Sequence, residues 1–182
     1  MLKKLNKYFF MGAVVFMFSC SVKYEDQNKE VVKSQEVPDT MMENFKLIKM
    51  KKNVPYVEVL AKKAEIFDSQ NRTLLYNTEF IEYDGHKQNV VTRGKADIVE
   101  YFNDTENATL TGNLNFYSKK EEIEISGESI LWNSDLKSIG SGENDLMFLK
   151  KDDGSILEGY GFNADLKHST FFFSGSVNGE IP

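Results

Sequence analysis

Residues 95–117 read KADIVEYFNDTENATLTGNLNFY, and this stretch decides the fold class. Asn103-Asp104-Thr105-Glu106-Asn107 is a polar gap that cannot easily continue a strand, while Leu110, Leu114 and Phe116 on its far side share one parity. Apolar positions at period two on both flanks of a turn cluster are the signature of a β-hairpin. No residue in it has an obvious catalytic role.

The unit recurs. Ala64-Glu65-Ile66, Ala96-Asp97-Ile98, Glu128-Ser129-Ile130 and Ala164-Asp165-Leu166 open four segments about 32 to 36 residues apart. Each opening is followed by a polar turn and a second strand. Three of those second strands carry glycine among apolar residues, at Gly112, at Gly140 with Gly142, and at Gly175. Glycine inside a strand lets a sheet bend or a backbone approach closely. Hairpins repeated at this period each leave an apolar face that the neighbours must cover.

From Asn44 to the end the period stays at two. Turn clusters DSQNR, DGHKQN, NDTEN, SKKEE, NSDLK, GEND and KKDDG punctuate the chain. No stretch shows a helical period. The expectation is an all-β domain over residues 44–182, with about eleven to thirteen antiparallel strands. At 182 residues the chain is long enough for one domain with a real core. A net charge of −6 argues against a dedicated nucleic-acid binder, which usually shows a basic face.

The first residues belong to a different category. Lys3, Lys4 and Lys7 precede an apolar run from Tyr8 to Phe18, the layout of a signal peptide over residues 1–19. That run is short for a bilayer span. Ser19-Cys20 follows directly, and Cys20 is the only cysteine, so no internal disulfide is possible. Its position resembles the lipidated cysteine of a bacterial lipoprotein, although Met17 and Phe18 depart from the usual motif. Residues 20–43 then read as a lipidated cysteine and a polar tether, broken at Pro38.

The segments ADIVEYFNDTENATLTGNLNFY, GESILWNSDLKSIGSG and GYGFNADLKHSTFFFSGSVNGE resemble the OstA-like repeat of lipopolysaccharide transport proteins. Export signal, anchor, tether and one such β domain together resemble the LptC family, whose members are membrane-bound periplasmic parts of that export system. Proteobacterial members hold the membrane with an N-terminal helix, where this chain is expected to use lipid. The resemblance implies a twisted, open β-jellyroll with an apolar groove for acyl chains. It implies as partners a lipopolysaccharide-type glycolipid, an inner-membrane ABC transporter and a second β-jellyroll bridge protein.

The expected groove residues are Leu110, Leu114, Phe116, Ile123, Ile125, Ile130, Trp132, Leu146, Phe148, Phe171, Phe173 and Val177. An ordinary sandwich core is the competing reading of the same positions. Residues 170–177 contain three phenylalanines and no charge, which leaves a strand edge unprotected against pairing with another chain. The expected partner edge therefore comprises Thr170, Phe172, Ser174 and Ser176. The opposite edge carries Lys46, Lys49, Lys51 and Lys52.

His86 and His168 stand in turns without a neighbouring Cys or His at ligand spacing, and no nucleophile-elbow context surrounds any serine. The expectation is a non-catalytic protein without metal or cofactor. Two other classes fit the same composition: an adhesive surface β-sandwich lipoprotein, and a closed lipocalin-like barrel for one small hydrophobic ligand.

Overall fold

The computed structural model describes residues 36–84 and 89–182. The signal segment, Cys20 and most of the tether lie outside them, as does His86. Twelve strands follow in order, within the expected range: β1 Thr40–Lys51, β2 Val54–Phe67, β3 Arg72–Tyr83, β4 Val90–Phe102, β5 Asn107–Ser118, β6 Ile123–Asn133, β7 Ser138–Gly140, β8 Leu146–Lys151, β9 Ile156–Tyr160, β10 Phe162–Asp165, β11 Thr170–Phe173 and β12 Val177–Glu180. The β domain begins earlier than the expected Asn44, because β1 already starts at Thr40 and pairs with Ile66.

Consecutive strands β1 to β6 pair antiparallel, as short polar turns require. The stretch 95–117 is indeed the β4–β5 hairpin, with Phe102 opposite Asn107. At β6 the sheet divides. Leu131–Asn133 pairs with β7, which leads to β10 and β11, whereas Ile123–Gly127 pairs with β8, which leads to β9 and β12. Among the described residues the sheet does not close on itself, since β1 pairs only with β2, β11 only with β10 and β12 only with β9. A closed barrel is thereby excluded.

The long strands bend at one level. Inward residues stand three apart at Met42 and Phe45, Ala61 and Ala64, Leu75 and Thr78, and Ala96 and Val99. Strict alternation would separate inward positions by two. Each strand therefore breaks parity once, and the breaks line up across β1 to β4. Asn44 and Asn77 take left-handed conformations there, as does Asn113 on β5, and asparagine tolerates that region better than most residues. A break of this kind bends the strand. Lined up in register, the breaks fold the whole sheet over.

The fold-over is visible in one contact. Lys49 is aligned with Val57 and, beyond it, Glu82 and Thr92. In a flat sheet Tyr101 would lie nine residues, about 30 Å, farther along β4. Yet the Lys49 Nζ stands 5.6 Å from the centre of the Tyr101 ring. The β1–β2 end has curled across the sheet's inner face.

Two apolar clusters fill the space so enclosed. The first comprises Ala61, Ala64, Leu75, Ala96, Val99 and Ala108, and the second Leu114, Ile130, Met147, Leu149 and Phe162. Leu110 packs against both and joins them into one interior. In the second half the Phe80 and Phe116 rings, 4.9 Å apart, close over Gly94 between them. A Cβ at Gly94 would lie only 2.0 Å from the Phe80 ring, so glycine is what lets the two rings meet.

On the outer face, Glu65 forms an ion pair with Lys63 and accepts a 2.8 Å hydrogen bond from the Tyr76 hydroxyl. Lys63 and then Tyr76 hold the Glu65 carboxyl below its ordinary pKa of 4.5. The shared hydrogen bond holds the Tyr76 hydroxyl above its own ordinary value. A depressed carboxylate contributes stability above its unfolded pKa and loses it as pH falls through the folded one. Glu65→Gln is therefore expected to flatten the acid limb of a stability–pH curve below about pH 4.5. Urea midpoints at pH 3 and pH 7 measure this; an unchanged acid limb would refute it.

Candidate lipid-binding interior and sheet edges

The expected groove residues sort into three groups. Leu114 and Ile130 are the most deeply buried, each 2% exposed. Leu110, Phe116, Ile123, Ile125 and Phe173 pack half-buried around the second cluster, and Trp132 packs against the first. Phe148, Phe171 and Val177 are exposed, and Leu146 is half-buried on the same face of β8 as Phe148.

On β8 the parity differs from the expectation. Met147 and Leu149 face inward, while Phe148 is 39% exposed on the outer face. The reason is register: Leu149 pairs with Ile125 and Met147 with Gly127, so the inner face of β6 selects them. Phe148 and Leu146 instead line an outer cleft of about 640 Å³ with Lys95, Asn115 and Ser126. Sequence reasoning missed Met147, Leu149 and Phe162, the last only 1% exposed. Every position of Leu146-Met147-Phe148-Leu149 is apolar, so a period-two pattern offers no choice between the faces. Phe171 keeps a ring contact with Phe162 at 6.2 Å, and it borders a small apolar cavity of about 110 Å³ with Ile123, Leu149 and Leu157.

The expected partner edge is divided in two. Thr170 and Phe172 lie on β11, which has a free side, and Phe172 is 62% exposed. Ser174 and Ser176 lie past the end of that strand. There the chain crosses from one limb of the sheet to the other, and its backbone is already engaged. Ser174 N–H donates to Gly161 O at 3.1 Å, Gly175 N–H to Tyr160 O at 3.0 Å, and Tyr160 N–H to Ser176 O at 3.2 Å. Gly161 is the matching crossing from β9 to β10. These bonds leave the two serines unavailable as a continuous pairing edge.

His168 Nδ1 sits 2.7 Å from Asp165 Oδ2, and that contact keeps the Asp165 carboxyl below its usual range. The pair is exposed on a turn. Among the described residues no group of three His, Cys, Asp or Glu side chains is placed to hold a metal ion.

Fold and interior together define a class: an open antiparallel sheet folded over an apolar interior, with end strands that are paired on one side only. Residues 9–181 match the family model described as lipopolysaccharide-assembly, LptC-related. The chain belongs to that family. Among solved structures it is similar to LptH from Pseudomonas aeruginosa, described as the LptA-homologous periplasmic component of the conserved lipopolysaccharide transport device. The two share 14% identity over 69% of this chain and 94% of that one, with a TM-score of 0.52, a likeness of fold. The architecture is accordingly a β-jellyroll of that type. No curated protein matches the sequence.

Proposed function

We propose that this chain is a non-catalytic, lipid-anchored envelope protein of lipopolysaccharide transport. It accepts a lipopolysaccharide-type glycolipid from an inner-membrane ABC transporter and passes it along a bridge of β-jellyrolls. Cys20 is the lipidation site, residues 20–39 are the tether, and the domain stands on the periplasmic face of the inner membrane. Family membership supports the transport role.

The observation that carries the cargo assignment is the single apolar interior, joined through Leu110 and left open because the sheet never closes. An acyl chain needs no more than that. Each buried methylene is worth about 0.8 kcal/mol, so a dozen supply about 10 kcal/mol without any specific hydrogen bond. Such a slot holds lipid and releases it to an equivalent slot with little change in free energy. The free side of β11 supports strand addition by the next jellyroll, with Phe172 as the exposed contact.

The test is photocrosslinking in cells with a benzophenone amino acid at position 116 or 172. Position 116 is expected to capture glycolipid, and position 172 a second envelope β-jellyroll protein. Adducts at 116 confined to the protein's own chain would overturn the cargo assignment, and the same result at 172 would overturn the bridge.

A further inference from the structure

Two ammonium groups stand over aromatic rings at one lip of the interior. Lys49 Nζ lies 5.6 Å from the Tyr101 ring centre, and Lys137 Nζ lies 5.6 Å from that of Trp132. Tyr101 pairs with Ala108, and Ala108 with Trp132, so the two rings occupy one inward row with a single small residue between them. Two strand spacings separate them, about 10 Å. Ala108 is buried and belongs to the first apolar cluster, so the row is the border of the interior.

Lys49 and Lys137 reach this row from opposite sides. Lys49 arrives on the curled-over β1, and Lys137 from the turn after β6, where its Nζ donates a 3.4 Å hydrogen bond to the Ser134 hydroxyl. Among the described residues neither ammonium is within ion-pair distance of a carboxylate. Glu100, next to Tyr101, is engaged by Arg72 at 3.0 Å. What sets these two cations apart is their place, each over an aromatic ring that packs against the apolar interior.

We infer that this lip is a binding site for the phosphate groups of an amphiphile whose acyl chains enter the interior. The inference deepens the transport reading and rests on it for the identity of the cargo. A lysine over an aromatic face at a half-exposed site is held weakly. A charge-assisted hydrogen bond to phosphate is the stronger contact, so an arriving headgroup draws both ammonium groups off their rings. The apolar row admits the chains, and the two cations fix how far the headgroup can follow. Trp132 is the only tryptophan in the chain and lies directly beneath one of these cations, so its fluorescence reports occupancy.

The experiment titrates the purified full-length protein with an acylated glucosamine disaccharide bearing two phosphates, and with the same glycolipid after phosphatase treatment. Trp132 emission is the readout. The phosphorylated form is expected to bind about a hundredfold tighter, roughly tenfold for each lysine. In Lys49→Gln/Lys137→Gln this preference is expected to vanish while affinity for the dephosphorylated form stays the same. Thermal unfolding of the variant checks that it folds as the parent does. A preference that survives the double substitution, or is absent from the parent protein, overturns the proposal.

Inorganic phosphate alone is the second arm. An equal emission change at the same concentration would overturn a headgroup site in favour of a free-anion one. Binding of neither glycolipid by the parent protein would sink the transport reading instead. The lip is then judged by phosphatidylglycerol against diacylglycerol, where a preference lost in the double variant still supports it and a preference retained overturns it.

Discussion

Phe162→Ala is expected to lower the stability of the domain by about 3–5 kcal/mol, the usual cost of removing a fully buried aromatic side chain. Phe162 opens β10 at the point where the two limbs of the sheet come together, and it is 1% exposed. Its ring lies 5.5 Å from that of Phe173 and 6.2 Å from that of Phe171, and it belongs to the cluster of Leu114, Ile130, Met147 and Leu149. No neighbouring strand can move in to fill the space without breaking the pairing of β10 with β7 and β11. Against a typical total of about 5–15 kcal/mol, such a loss leaves much of the protein close to unfolding. Urea denaturation measures it directly. Phe172→Ala, one strand away and largely exposed, is the control, expected to change stability by no more than about 0.5 kcal/mol. Equal losses in the two variants would show that the limbs are not held together through Phe162.

Gly161→Val is expected to be nearly as damaging, for a different reason. Gly161 has φ +65°, a region that β-branched residues avoid. A Cβ there would stand 2.1 Å from the Ser174 Oγ, on the segment that crosses back between the limbs. Backbone strain and forced displacement together put the cost at about 2–5 kcal/mol. The loss is expected to begin locally. Amide exchange at Tyr160, Ser174 and Gly175, whose N–H groups make the three crossing bonds, should accelerate more than exchange in β2 or β3. Uniform acceleration across all strands would count against Gly161 as the fastening point of the crossing.

Much of this architecture is legible in residue order alone. Period-two patterning between polar turn clusters specifies an all-β domain of consecutive hairpins, because a strand turns its side chains to alternate faces and asparagine, aspartate and glycine accept tight turns. The hairpin of residues 95–117 and the inward placement of Leu114 and Ile130 follow from it. Even the bend leaves a trace: on β6 the apolar positions pass from odd, at Ile123 and Ile125, to even, at Ile130 and Trp132. The OstA-like repeat leads to the family as well. Long-range pairing decided the rest. The inner face of β8 is chosen by its register against β6, since four successive apolar residues fit either face equally well. Ser174 and Ser176 leave the edge because the chain must cross between limbs that diverge only at β6, a division no local pattern encodes. Lys49 meets Tyr101 only because aligned parity breaks fold the sheet over, bringing together residues whose separation along the strands is many times the reach of a side chain.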